Sequence, residues 1–294
     1  MTRMQRNMIV TATTAIVGLG ISSYVYVQNM RPKILEVYVF SLTQGRSVFV
    51  RTPDDTRVLI DGGANSEVIT KLTSILPFYS RRIDTVIVVH DDKKDITGLI
   101  DVIRRYKVSN VFVSKDVTVS TSPSDIYTIL LDTARRSGIP IQEISASDSI
   151  NFGLYTKAQV LFPVTSNRFT YSSASPPEMV LNIMYKSTRI LLANSISKKI
   201  QNFLVENDEN ISAQVCVYDE HVTHTTVSQN FIRAINPTYV VYSSTPAKTS
   251  SKGSASKKKA DKDPLDSILV NNRFNVKEKG TIKIVSDGST VSIQ

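Results

Sequence analysis

The sequence predicts an α/β protein: two mixed sheets packed face to face with helices on their outer faces, a four-layer αββα sandwich. Three observations carry this. Residues 35–60 alternate apolar and polar side chains in short runs separated by turns, which reads as a meander of strands. Strand-like and helix-like segments then alternate from 67 to 140, the pattern of parallel βα units. From 141 onward the meander and the βα units return, so two halves repeat one plan. A chain of 294 residues, 41% of them hydrophobic, fills such a core without disulfides. Its single cysteine, Cys216, excludes an intrachain bridge and lies in an apolar run, where a small buried core residue is expected.

The elements follow in order. Residues 1–7 are a polar N-terminus carrying Arg3 and Arg6. No charge appears over 8–27, and about twenty helical residues span about 30 Å, the thickness of a hydrocarbon core. Residues 8–28 are therefore expected to be a transmembrane anchor, with Tyr24 and Tyr26 as interfacial aromatics and 29–34 as a linker. A cleaved signal peptide and a soluble helix are the alternatives. On the anchor reading the protein is a single-pass protein of the cell membrane, its large domain outside the cytoplasm.

Strands are expected at 35–42, 47–52 and 57–60, joined by Gln44-Gly45 and Pro53-Asp54-Asp55 and closing on Asp61-Gly62-Gly63. A helix over 67–76 stops at Pro77. Residues 83–89 are a buried strand, followed by a polar turn and a helix over 96–106. A strand at 110–113 and a helix from Ser124 to Ser137-Gly138 complete the first half. In the second half 141–164 is strand-rich, and 179–185 with 189–193 forms a hairpin. Ser197 caps a helix, and 213–218, 227–235 and 238–242 read as strand, helix and strand. Residues 243–263 are a Ser/Lys-rich stretch too poor in apolar residues to offset its ordering entropy, hence a flexible loop. Two short strands end the chain.

Chemistry concentrates in the turn His90-Asp91-Asp92-Lys93-Lys94-Asp95, at the carboxyl end of a core strand. Three readings stand side by side. The turn is an ordinary solvated one, its acids and bases neutralising one another. Alternatively, the Lys94 ammonium replaces a metal and holds Asp92, Asp95 and Asp61 around it. Or His90, Asp92 or Asp95, and His221 form a reduced mononuclear site. The chain has only three histidines, His90, His221 and His224. The net charge of +9 favours anionic partners. Lys252, Lys257, Lys258 and Lys259 are candidate phosphate contacts to nucleic acid; without an aromatic beside them, such binding would be strongly salt-dependent. No phosphate-cradling glycine loop, Ser-His-Asp arrangement or Cys-x-x-Cys pair is present, and no catalytic residue is assigned.

The stretch LEVYVFSLTQGRSVFVRTPDDTRVLIDGG (35–63) resembles the opening of the metallo-β-lactamase fold, most closely the C-terminal domain of ComEC-type DNA-internalisation competence proteins. Ile83-Asp84 before the next strand, Gly98-Leu99 after the turn, and the late Ser286-Asp287-Gly288 extend the resemblance over 35–293. It implies a metallo-β-lactamase-like domain over 35–294. In that family the turn supplies His-x-His/Asp-x-Asp-His to zinc or manganese, which lowers the pKa of bound water to about 7. Here His90, Asp92 and Asp95 fall on the first, second and fourth of those positions, but Lys94 replaces the third. Ser195 stands near the family's later Asp, Arg46 replaces the Asp of the opening turn, and His221 falls on the late His pair. Lys94 and Ser195 are thus expected to disable the site. With the expected anchor, these substitutions in the resembled pattern lead to the expectation of a membrane-anchored domain without catalysis and without cofactor, binding nucleic acid or an envelope or DNA-uptake protein. The alternative it leaves is a metal-dependent, nuclease- or phosphodiesterase-like hydrolase with one zinc or manganese ion.

Overall fold

The structure, a computed structural model, describes residues 3–30, 33–115, 124–164, 169, 178–194, 196–207, 210–219, 227–243, 265 and 268–294. The chain divides into two units, residues 1–33 and 34–294.

The first unit is one helix, α1 (Arg3–Met30), whose Ile16, Val17, Leu19 and Ile21 are exposed. The expected transmembrane anchor over 8–28 is not supported: no described helix is long and apolar enough to cross a membrane. Length is not what fails, since 28 residues rise about 42 Å. Thr11, Thr13, Thr14, Gly18, Gly20, Ser22 and Ser23 dilute the apolar residues between them.

In the second unit the first half of the chain forms β1 (Leu35–Val39), β2 (Val48–Arg51), β3 (Arg57–Ile60), α2 (Glu67–Ile75), β4 (Arg82–Val88), α3 (Lys93–Arg105), β5 (Lys107–Ser114), α4 (Asp125–Arg136) and β6 (Ile141–Ile144). The second half forms β7 (Ser149–Phe152), β8 (Thr156–Phe162), β9 (Val180–Tyr185), β10 (Thr188–Leu192), α5 (Lys198–Glu206), β11 (Val215–Asp219), α6 (Gln229–Ile235), β12 (Tyr239–Ser243), β13 (Arg273–Asn275) and α7 (Val276–Lys279). β14 (Ile282–Ser286) and β15 (Val291–Ile293) return to the first sheet, whose order is β15-β14-β1-β2-β3-β4-β5-β6. The second sheet runs β13-β12-β11-β10-β9-β8-β7. Each sheet is antiparallel at its meander and parallel at its βα units: β3, β4, β5 and β6 in one, β10, β11, β12 and β13 in the other. The repeated plan expected from the sequence is present.

Period-2 alternation assigns the layers. Val37, Val58, Ile60, Ile87 and Val89 face Leu181, Ile183, Leu192, Val215 and Val217 of the other sheet in the central core. Their neighbours Leu59, Val86 and Val88 point outward onto Leu72 of α2, Leu99 of α3 and Leu130 of α4. On the second sheet Cys216 and Tyr218 pack outward against Leu204 of α5 and Phe231 of α6. Parallel strands buried on both faces carry continuous apolar runs, as at Val86-Ile87-Val88 in β4 and Val215-Cys216-Val217-Tyr218 in β11. Cys216 is fully buried and its thiol is pushed up to about 12 by burial, so it is a core residue.

The helix expected to start at Ile96 begins at Lys93, because Asp92 caps it by accepting a hydrogen bond from the Lys94 amide at 3.0 Å. Most of the expected Ser/Lys loop (243–263) lies outside the described residues; its first residue, Ser243, ends β12.

Candidate functional site

The candidate site lies where β3, β4 and β11 end and where the chain enters β2. Asp61 follows β3 directly and adopts a left-handed conformation (φ +54°), which Asp tolerates better than most residues. That backbone turn brings both carboxylate oxygens onto β4: Oδ1 accepts from the Val89 amide at 2.9 Å, and Oδ2 lies 3.2 Å from His90 Nδ1. Asp61 and His90 are both buried. Burial raises the Asp61 pKa, against the opposing pull of His90 and Arg46. His90 Nε2 has no hydrogen-bond partner among the described residues.

Asp95, in the first turn of α3, is buried and points inward. Its partner is Arg46. The Arg46 amide and Nε both donate to Asp95 Oδ1 at 3.1 Å, and Nη2 donates to Oδ2. Arg46 Nε is also 3.6 Å from Oδ2 of Asp219, the last residue of β11, so the guanidinium joins one sheet to the other. Burial raises the Asp95 pKa, but the bonds and charge of Arg46 outweigh it and hold the carboxyl below its ordinary value. Reciprocally, burial works against the Arg46 charge and the bonds to Asp95 raise its pKa further above the usual value. A bidentate, charge-assisted pair of this kind is among the stronger side-chain interactions.

Gly45 makes the pair possible. It has φ +77°, and a Cβ there would lie 1.7 Å from the Lys94 carbonyl oxygen. The 43–46 turn therefore lies directly against the start of α3, and the next residue, Arg46, meets Asp95. Gly98 does the same from the helix side: its added Cβ would fall 2.0 Å from the Gly62 carbonyl oxygen. Gly62 donates to the Asp95 carbonyl at 2.7 Å, and Gly63 to that of Arg46 at 2.9 Å. A cleft of about 190 Å³ opens over the cluster, lined by Gln44, Arg46, Asp92, Lys94, Asp95 and Asp219 among others.

Of the residues expected from sequence, His90 and Asp95 come together here with Asp61. Asp92 does not: it is exposed and occupied in capping α3. Lys94 is likewise exposed, so the cation among the buried carboxylates is Arg46 and not Lys94. His221, Ser195, Lys252, Lys257, Lys258 and Lys259 lie outside the described residues. Sequence reasoning missed Asp219, Asn194 and Glu178, all buried. Glu178 accepts from the Ser197 amide at 2.8 Å, and burial raises its pKa. Asp219 had a signal: Val215 and Val217 face the central core, and the same alternation puts residue 219 there too.

The described residues do not fit a metal ion. Among them no three His, Cys, Asp or Glu side chains are grouped to hold one. Asp95 and Asp219 already face a fixed cation, which would repel a dication about 4 Å away by about 8 kcal/mol at an effective dielectric of 20.

No protein-family model and no curated protein matches the chain. Solved structures similar to it include YhfI from Bacillus subtilis, a metallo-β-lactamase-fold protein (11% identity, TM-score 0.49, 71% of this chain and 85% of that one). Tm1679, a metal-dependent hydrolase of the β-lactamase superfamily, matches at 14% identity and TM-score 0.46, over 71% of this chain and 87% of its own. A CmlA β-hydroxylase variant matches at 17% identity and TM-score 0.48; the chain covers 71% of itself but only 45% of that protein. YhfI and Tm1679 are metallo-β-lactamase-fold proteins, while the finer likeness to competence proteins is not shown. The four-layer architecture itself rests on the sheet order and the three clusters described above.

Proposed function

We propose that this chain is a metallo-β-lactamase-like domain that acts by binding an anionic partner and not by catalysis, with a guanidinium in the place of a metal ion. One observation carries the reading: Arg46 holds Asp95 through two side-chain bonds and lies 3.6 Å from Asp219. The carboxylates that would gather a cation are thereby turned inward, into a tie between the sheets. The net charge of +9 supports an anionic partner, of which nucleic acid or an acidic envelope protein are the two kinds the sequence favours.

A second reading has an observation of its own. Asp61 faces His90 Nδ1 and Nε2 has no partner among the described residues, which is how a carboxylate orients a metal-ligating imidazole. On that reading one zinc or manganese ion binds His90 and the domain hydrolyses phosphodiesters.

Metal content separates the two. The full chain is offered Zn²⁺ and Mn²⁺, desalted, and analysed for bound metal, with His90→Ala as control. The binding reading expects well under one ion per chain in both proteins. One ion per wild-type chain, lost in His90→Ala, would overturn it in favour of the hydrolase.

A further inference from the structure

At the opposite end of the first sheet, where β4 and β5 begin and α2 and α3 end, the loop leaving α2 presents Phe78 and Tyr79. They are 93% and 77% exposed and lie edge to face with ring centroids 5.3 Å apart. Two large aromatics this exposed, touching mainly each other, carry an apolar cost in water that nothing within the unit offsets. Around them is positive charge. Arg81 accepts a backbone hydrogen bond from Lys107 at 2.8 Å, and α3 ends in Arg104-Arg105. Arg81, Arg104, Arg105 and Lys107 are all exposed and none has a carboxylate partner among the described residues. Of the acids at this end, Asp55 is paired with Arg57, Asp84 with Arg82 and Glu36 with Arg51 and Lys283, while Asp54 accepts from Thr52, Thr56 and the Leu154 amide.

We propose that this end of the sandwich is a peripheral membrane-docking surface: Phe78 and Tyr79 enter the interfacial region of an anionic bilayer while the four free cations meet its headgroups. Aromatic rings settle at the headgroup level, and each Lys or Arg near an anionic surface strengthens binding about fivefold. Single-stranded nucleic acid is the competing occupant, since exposed rings and arginines also suit base stacking and phosphate contact. The placement favours lipid. The two rings are paired in one loop and the cations lie on the strand and helix ends beside it, whereas a nucleic-acid track alternates rings and cations along a groove. The inference does not rest on the reading of the Arg46 site.

The chain has no tryptophan, so Phe78→Trp places a single reporter at the tip. With the full chain and phosphatidylglycerol-containing vesicles, its emission shifts to the blue; with pure phosphatidylcholine vesicles it does not. In co-sedimentation with the same vesicles, Phe78→Ser/Tyr79→Ser and Arg105→Glu/Lys107→Glu each weaken binding at least about tenfold. An unshifted emission on phosphatidylglycerol overturns the proposal, even where the vesicles sediment the chain, because another segment is then holding it. Single-stranded DNA binding lost in both double variants, with no vesicle binding by the wild type, overturns it in favour of nucleic acid.

Discussion

At one end of the first sheet Arg46 is 12% exposed and bonded on two sides; at the other, Arg81, Arg104 and Arg105 stand in water beside two bare aromatic rings. The residue type is the same and the surroundings decide its work. Around Arg46 the chain has brought three buried carboxylates, from the end of β3, from α3 and from β11, and the guanidinium is held through Nε and Nη2 while Nη1 has no partner among the described residues. Around Arg105 the nearby acids are engaged elsewhere, and the charge stays available. At the carboxyl ends of the strands the charges are tied together in a buried cluster beneath a cleft of about 190 Å³, and at the other end they stand exposed.

The sharpest way to break the comparison is to remove the buried cation. Arg46→Met removes the cation that Asp95 and Asp219 share, and removing one partner from a buried ionic cluster costs about 3–5 kcal/mol. Urea unfolding followed by far-UV circular dichroism reads it as a large fall in midpoint. A loss below about 1 kcal/mol would mean that the pair behaves as a surface one. Gly45→Ala tests how Arg46 is delivered. A methyl group 1.7 Å from the Lys94 carbonyl, at a backbone φ of +77°, forces the 43–46 turn off the helix. The expected loss is about 1–3 kcal/mol, smaller because the turn can yield where a missing charge cannot.

How much of this was legible in the sequence follows from the range of the interactions. The layers were readable because side-chain alternation is local: Val58-Leu59-Ile60 shows both faces of its strand in three residues. Asp95 was legible beside Asp61 in one reading and beside His90 in another, because each of the three sits at the end of a readable element, but no reading joined all three. The cation was not legible. Lys94 adjoins Asp95 in sequence and draws the eye, but Asp92 starts the helix, and the turn that brings Asp95 inward leaves Lys94 in solvent. Arg46 lies 49 residues from Asp95, and only the close packing of Gly45 and Gly98 joins them. The anchor failed for a different reason. Absence of charge over 8–27 does not make that helix apolar, because Thr, Ser and Gly are spread through it, and it is apolarity that decides whether a helix crosses a bilayer.

A smaller effect comes from pH, because the buried carboxylates do not all gain from their surroundings. Asp95 has a folded pKa below its unfolded value; its stabilisation is present above the ordinary carboxylate range and is lost as pH falls through the folded value. Glu178 runs the other way. Burial raises its folded pKa above 4.5, so its contribution is full below that value and is lost as pH rises through the folded pKa. Glu178→Gln keeps an oxygen that can accept from the Ser197 amide and removes the charge. The variant should therefore gain stability relative to wild type at pH 7 and lose that advantage at pH 4, read from urea midpoints at the two values. An equal difference at both would show that Glu178 titrates as it does in the unfolded chain.

The smallest effect belongs to the open end, and it is the one that gives the comparison its meaning. Phe78 and Tyr79 touch each other and little else, so Phe78→Ser/Tyr79→Ser removes almost no folded-state packing and should change unfolding free energy by no more than about 0.5 kcal/mol. The same urea titration that registers Arg46→Met should barely register this pair. A loss approaching that of a core truncation would mean that the rings are buried against the unit in solution, and the surface would then be a structural corner with no docking role. Stability unchanged, with vesicle binding lost, separates the two ends as the geometry does: one holds the sheets together, and the other is free for a partner.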